Sequence, residues 1–383
     1  MPEHLASRIS TIATPAYVVD MAALMRNMET ASLIRREAGC RILLSTKAFA
    51  LPEVFPLMRE HLDGTSASGL YEARLGREEF GKEVHVFSPA YREETFGEIL
   101  GVCDHVTFNS PSQLERFLPA VEKSGKGVRA GIRVNPGYSR VTLGGELYDP
   151  CSPRSRFGVR RHLLDVLPWD SLDFIHVHAL CESLHDGSTA LIEHVGKTLG
   201  EYVRRVGAVN FGGGHFINKQ GYDVWQLIRA VRSFRQTFGV EVILEPGSGL
   251  VVDAGYLVST VLDIVHNETD IAVLDTSAAC HMPDVLEVPY TPPVLGAQAP
   301  GVLPYTCILA GPTCMTGDII GEYSFEEPLE PGDRLVFGDM LQYSFVKNNT
   351  FNGMPLPDIG LLHEDAGYEV VRRFGYTDFR GRL

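Results

Sequence analysis

No two cysteines in this chain are spaced as C-x-x-C, and the seven present (Cys40, Cys103, Cys151, Cys181, Cys280, Cys307 and Cys314) are odd in number and widely scattered. That pattern argues against a disulfide framework and against a zinc ribbon, and no metal is expected. Basic residues are in the minority, 34 Lys and Arg against 48 Asp and Glu, for a net charge of −14. Nucleic-acid binding needs clustered cations, so a phosphate-backbone partner is excluded. The first ten residues, MPEHLASRIS, lack a basic segment followed by an apolar one, the signature of a secretory leader. The most apolar later stretch, GLVVDAGYLVSTVLDIV, is interrupted by Asp253 and Asp263, too soon for a bilayer span. A reduced, cytoplasmic protein with no membrane partner is expected. Internal repeats and low-complexity segments are also missing.

What is present is an alternation. At 383 residues the chain exceeds the size at which one hydrophobic core stops growing, so two domains are expected. From about residue 40 to 245, short β-rich runs alternate with helix-like segments. The runs are RILLSTK, LDGTSAS, EVHVFSP, DHVTFNS, VRAGIRVN, DFIHVHAL, GAVNFGGG and VEVILEPG. Between them lie GLYEARLGREEF, then SPSQLERFLPAVEKSG with Ser110 or Ser112 as N-cap and Gly125 as stop, and YDVWQLIRAVRSFRQTFG closed by Gly239. Eight strands with intervening helices favour a parallel (β/α)8 TIM-like barrel over a doubly wound sheet, and no GxGxxG follows the first strand. After Pro246 the texture changes to YTCILAG, DIIGEYSF, DRLVFGDM and YEVVRRFGY, separated by Gly, Pro and Asp turns. These read as an antiparallel β-domain, a sandwich or barrel. The strand TPAYVVD, at the start, fits either domain. The expected division is a barrel over 22–246, with 1–21 and 247–383 forming the β-domain.

In such a barrel the loops after the strand C-termini build the site. Lys47 follows the first strand, Arg133 and Asn135 end the fifth, and His178 follows the sixth. Gly212, Gly213 and Gly214 follow the seventh, and Glu245 the eighth. Taken singly these are a strand-end cation, a core histidine, turn glycines and a carboxylate before a turn. Together they describe a site for pyridoxal phosphate. A desolvated lysine amine can form a Schiff base with an aldehyde, and a glycine cluster admits a phosphate to the backbone. A carboxylate keeps the pyridine ring protonated as an electron sink, and an imidazole can stack on it.

The ordered motifs STKAF, HVHALCE, NFGGGHF, LEPGSG, GPTCMTGD and GDMLQYSF...FNG resemble the alanine-racemase-type (fold type III) decarboxylases, which include ornithine and diaminopimelate decarboxylases. The resemblance implies Lys47 as the Schiff-base lysine, His178 stacked on the cofactor, Glu245 at the pyridine nitrogen and Arg133 near the ring. It implies phosphate contacts from Gly212, Gly213, Gly214, Gly247 and Tyr343. Cys314 would return a proton after CO2 leaves, acting from the partner subunit of an obligate homodimer with shared active sites.

Departures from the better-known branches carry the specificity. EPGS replaces an EPGR-like segment, leaving Ser248 in place of an arginine at the phosphate. HALCE puts Cys181 and Glu182 where HVGS is common, Met315 follows Cys314 instead of a glutamate, and Glu287 stands where an arginine would hold a substrate carboxylate. Replacing a guanidinium by a carboxylate inverts the preferred charge, so the distal end of the substrate should be an amine. These segments look most like carboxynorspermidine (carboxyspermidine) decarboxylases, whose cationic carboxypolyamine substrates suit acidic partners. Glu182, Asp284, Glu287 and Asp318 are the candidate substrate acids. Decarboxylation of diaminopimelate or ornithine, racemisation, and an inactive regulatory homologue are the competing readings; a racemase usually needs a second basic tyrosine, which position alone does not reveal.

Overall fold

A computed structural model of the chain describes residues 8–140, 149–364 and 367–383; seven of the ten N-terminal residues read above lie outside the described residues. Two compact units emerge, Asn27–Leu250 and Met1–Arg26 with Val251–Leu383, against 22–246 for the barrel read from sequence. Strand β1 (Ala16–Asp20) belongs to the second.

The first unit is the barrel. Its strands are β2 (Arg41–Ser45), β3 (Gly64–Ala67), β4 (Glu83–Phe87), β5 (His105–Phe108), β6 (Arg129–Asn135), β8 (Phe174–His176), β9 (Ala208–Asn210) and β10 (Glu241–Leu244), with a two-residue β7 (Val159–Arg160) beside β6. All pair in parallel, and β10 closes on β2 through Ile243 opposite Arg41. Strands covered on both faces read as near-continuous apolar runs, which is why each was visible in the sequence. The intervening helices stop where their chemistry demands. Ser110 Oγ accepts the Gln113 N–H at 3.1 Å to cap the helix Pro111–Ser124, which ends on Gly125 at φ 61°. Asp223 caps the helix Val224–Phe238.

Inside the barrel the side chains form layers. At the N-terminal end of the strands Arg41 bridges Glu83 and Glu241, each at 3.0 Å. Above them Leu43, Phe174, Ala208 and Ile243 pack together, while His85 stacks on His105 at 3.8 Å. The next layer holds Phe87, Arg133, His176, Asn210 and Glu245.

The second unit adds β11 (Gly255–Asn267), β12 (Thr269–Leu274), β13 (Tyr305–Ala310), β14 (Ile319–Phe325), β15 (Arg334–Gly338), β16 (Asp358–His363) and β17 (Gly367–Arg372). Its order is β14-β13-β12-β11-β1-β16-β17, with β15 also on β11. The sheet is mostly antiparallel, with parallel pairings at β1–β16 and β12–β13. Every residue of β1 is buried because its two faces enter different cores: Tyr17 packs with Leu257 and Phe337, and Ala16 and Val18 with Val258 and Leu362. Strands β11, β12 and β16 were not singled out from sequence. The apolar stretch from Gly249 is largely β11. No helix among the described residues is long and apolar enough to cross a membrane.

Candidate active site

Strand β2 ends at Ser45, and a turn closed by the Ala48 N–H on the Ser45 carbonyl (3.1 Å) presents Lys47. The Lys47 side chain reaches solvent yet is surrounded by barrel atoms, so it stands in a pit open at the mouth. Desolvation there, reinforced by the charge of Arg133, pushes its ammonium pKa down; Glu245 opposes the shift. Lys47 is therefore biased toward the free amine.

Arg133 is buried, its guanidinium carbon 4.6 Å from the Phe87 ring centroid and 4.3 Å from that of Phe157. Its Nη2 donates to the His178 carbonyl at 3.0 Å, and burial draws its pKa down to about 10. His178 has a fixed tautomer. Its Nδ1 accepts the Gly213 N–H at 3.1 Å, which leaves the ring proton on Nε2. Burial, then the charges of Lys47 and Arg133, hold its pKa well below the usual value, so the ring is neutral.

Glu245 is 6% exposed and still ionised. Desolvation raises its pKa, but His176, then His85 and Asn210, overcome it and bring it to about 2. Asn210 Nδ2 donates to Oε1 at 2.7 Å, and His176 Nε2 lies 3.5 Å from Oε2. The same Asn210 accepts the Gly212 N–H on its Oδ1 at 2.8 Å, tying the glycine loop to the carboxylate.

The glycine cluster is used differently from the sequence expectation. Two of its three N–H groups are committed, Gly212 to Asn210 and Gly213 to His178. At Gly214 a side chain is impossible: φ is 86° and a Cβ would lie 2.3 Å from the Leu180 carbonyl oxygen. The close approach arises because the loop pairs with the segment after β8, where the Ser183 N–H donates to the Gly214 carbonyl (2.8 Å) and the Phe216 N–H to the Ser183 carbonyl (3.1 Å). Gly247 lies in the turn after Glu245, against Ser45 and Ala48, and Ser248 opens a short helix, Ser248–Val251.

On the segment after β8, Cys181 is partly buried and is coupled to the charge of Lys47; burial, then Glu182, raises its thiol pKa. Glu182 is exposed, with φ 42°.

The remaining candidates belong to the β-sheet unit. Cys314 is exposed on the loop Gly311–Asp318, its N–H donating to Asn352 Oδ1 at 2.9 Å. Asp318 requires a correction, because its carboxylate is not available to a substrate. It is 2% exposed and accepts from Ser277 Oγ (2.9 Å to each oxygen), Thr313 Oγ1 (2.7 Å), and the Ala279 and Thr313 N–H groups (3.3 Å each). It is the anchor of the loop that presents Cys314. Asp284 and Glu287, on the short helix Asp284–Glu287, both bind the ammonium of Lys347, which lies 2.5 Å from Asp284 Oδ1. Burial lowers the Lys347 pKa, but the two carboxylates outweigh it and the net shift is upward. Tyr343 adopts φ 49° and its carbonyl accepts the Val346 and Lys347 N–H groups.

A model of the family described as "pyridoxal-dependent decarboxylase, C-terminal sheet domain" matches residues 16–340. This chain belongs to the pyridoxal-dependent decarboxylases. Its cofactor is pyridoxal 5'-phosphate, and it is an enzyme of the decarboxylase class. Among these decarboxylases it is 41% identical over 379 residues to the carboxyaminopropylagmatine decarboxylase of Synechocystis sp., covering 98% of this chain and 97% of that protein. It is 37% identical over 379 residues to the carboxynorspermidine/carboxyspermidine decarboxylase of Campylobacter jejuni, covering 96% and 98%. The crystal structure of carboxynorspermidine decarboxylase from Campylobacter jejuni complexed with norspermidine matches with a TM-score of 0.90 at 36% identity, over 97% of this chain and 100% of that one.

Sequence reasoning missed four participants: His176, Asn210, Phe157 and Lys347. A usable signal existed for the first. His176 and His178 are two residues apart, close to the spacing that puts strand side chains on one side, and their rings lie 6.2 Å apart.

Proposed function

We propose that this decarboxylase acts on a carboxylated polyamine, carboxynorspermidine or carboxyspermidine, releasing norspermidine or spermidine in polyamine synthesis. The observation that carries the reading is the full-length similarity to decarboxylases of such substrates.

The barrel residues suit the cofactor. Lys47 combines accessibility with a depressed ammonium pKa, and Glu245 is a buried carboxylate held ionised. Pyridoxal phosphate, when bound, supplies an aldehyde that carries the substrate amine and a protonated ring that takes up the electron pair left by CO2. Lys47 would hold the cofactor through its amine. Glu245 would meet the ring nitrogen, and neutral His178 would cover the ring. Gly214, Gly247, Ser248 and Tyr343 would hold the phosphate, while Gly212 and Gly213 keep the space clear and fix His178. Arg133 would add positive charge near the ring. Cys314, exposed on its loop, would return a proton to the substrate carbon of a partner subunit's site, the arrangement of a homodimer with shared sites. Glu182, exposed beside the mouth of the barrel, would draw the cationic end of the substrate, and Asp284 and Glu287 would do so by exchanging the Lys347 ammonium for it.

The Synechocystis relative supports a second substrate, carboxyaminopropylagmatine, whose distal cation is a guanidinium. A carboxylate pair suits either a point-charge ammonium or a planar guanidinium.

The test is CO2 release from carboxynorspermidine, carboxyspermidine, carboxyaminopropylagmatine, meso-diaminopimelate and L-ornithine in parallel, with the visible spectrum recorded before and after borohydride. Turnover confined to carboxypolyamines is expected, with the visible band absent in Lys47→Ala. Faster turnover of diaminopimelate or ornithine would sink the assignment. Mixing inactive Lys47→Ala and Cys314→Ala proteins in equal amounts should restore about a quarter of wild-type activity, because random heterodimers carry one intact site in two; no recovery after subunit exchange would refute the shared site.

A further inference from the structure

Glu245 sits in a layer of the barrel whose neighbours are set by strand register. Arg133 on β6 is opposite His176 on β8, and His176 is opposite Asn210 on β9. The next strand, β10, leads into Glu245. The carboxylate therefore lies between an amide and an imidazole: Asn210 Nδ2 reaches Oε1 at 2.7 Å, and His176 Nε2 is 3.5 Å from Oε2. That second distance is at the outer limit of a hydrogen bond. Neither His176 nitrogen has any other partner among the described residues, and the residue is 2% exposed. A small rotation of the imidazole would give this buried donor an acceptor. The Phe87 ring, 5.5 Å away, confines the imidazole from the side.

We infer that His176 is a positioning residue for Glu245: its Nε2–H and the Asn210 amide clasp the carboxylate from both sides and keep it ionised under the cofactor ring. The inference rests on the reading that Glu245 meets the ring nitrogen. A buried carboxylate left to itself would take up a proton. A protonated Glu245 would no longer favour the charged ring, so the donors on its flanks set the electronic state of the cofactor without touching it.

The other groups around the pair agree with this arrangement. Burial opposes a charged His176 most strongly, Glu245 favours one through its hydrogen bond and its charge, and Arg133 from β6 and Lys47 from the turn after β2 oppose it; the balance lies below the usual imidazole value. His85, from β4, helps to hold Glu245 ionised, and neutral His178 adds no negative charge. His176 therefore acts on Glu245 as an N–H donor.

The experiment compares His176→Leu, His176→Gln and Glu245→Gln with wild type, reading pyridoxal phosphate affinity and the visible spectrum of the reconstituted protein between pH 6 and 8. Loss of a donor moves the Glu245 pKa upward, so the Leu variant should bind pyridoxal phosphate about tenfold more weakly. The deficit should grow as pH falls toward 6, with a spectral titration that wild type lacks. The Gln variant, which keeps an N–H at similar reach, should recover to within about threefold of wild type. Equal impairment of the Leu and Gln variants with no pH component would mean that His176 only fills space, and would overturn the inference. So would a wild-type Leu variant beside an altered Glu245→Gln. If Glu245→Gln is itself unchanged, the assignment of Glu245 to the ring nitrogen fails as well.

Discussion

Asp318 shows what burial does to a charge that a sequence motif places near a reaction. The segment GPTCMTGD ends on a carboxylate that, on charge alone, suits a polyamine. Within the fold it is surrounded by donors from its own loop and from Ser277 and Ala279, and Gly311 passes so close that a Cβ there would lie 2.2 Å from Asp318 Oδ2. Asp318→Ala would strand the Ser277 and Thr313 hydroxyls and two backbone N–H groups without water. We expect a loss of about 3 kcal/mol in urea denaturation, with Asp318→Asn milder because it keeps an acceptor. An unchanged urea midpoint would show that the loop holds without it. By contrast the places of Lys47, His178 and Glu245 just after β2, β8 and β10 were legible, because the pattern of apolar runs locates strand ends. Asp318, Lys347 and Asn210 were not, since their partners lie across the chain: Lys347 meets acids 60 and 63 residues earlier.

At the scale of elements, the loops after β8 and β9 behave as one piece. The Ser183 and Phe216 amides stitch them together, Gly213 fixes His178, and Asn210 joins Gly212 to Glu245. Gly214 is where the two backbones come nearest. Gly214→Ala forces a side chain onto a left-handed residue against the Leu180 carbonyl, so it should cost about 2 kcal/mol or more and loosen His178 as well. Cofactor affinity and the urea midpoint should fall together; retention of both would show that the loops tolerate separation. The barrel strands were readable one by one because each is covered on both faces. The β-sheet unit was harder. Strand β11 runs for 13 residues and passes from buried to exposed, so its outer half carries Asp263, His266 and Asn267 and loses the apolar signature. Nothing local to TPAYVVD identifies its neighbours, which are Gly255–Val258 on one side and Asp358–Leu362 on the other.

Across the whole molecule, buried imidazoles in both units share one sensitivity to acid. Burial takes His215 and His281 from 6.5 to about 4, and burial with the nearby His85, Arg129 and Arg41 takes His105 to about 2. For each, the unfolded chain binds a proton that the folded chain refuses. Their contribution is therefore complete above pH 6.5 and is lost as pH falls toward 4, with a ceiling of about 3 kcal/mol for His215 or His281. Glu245, brought from 4.5 to about 2, adds the same sign of dependence at lower pH. Urea midpoints should thus decline from pH 7 to pH 5 with net proton uptake on unfolding. A flat profile over that interval would mean these rings are already protonated, or hydrated, in the folded protein.

The place of β1 in its sheet has a consequence for synthesis. Residues 16–20 leave the ribosome long before their parallel partner, Asp358–Leu362, is made. At roughly 5–20 residues per second, the interval between them is on the order of 20 to 70 s. All of Asn27–Leu250 is translated within that time, so the barrel can close while a strand that is buried along its whole length in the fold still waits for its neighbours. An exposed strand edge of that kind is a template for wrong pairing. The nascent chain is thus most vulnerable to aggregation after its catalytic barrel has formed.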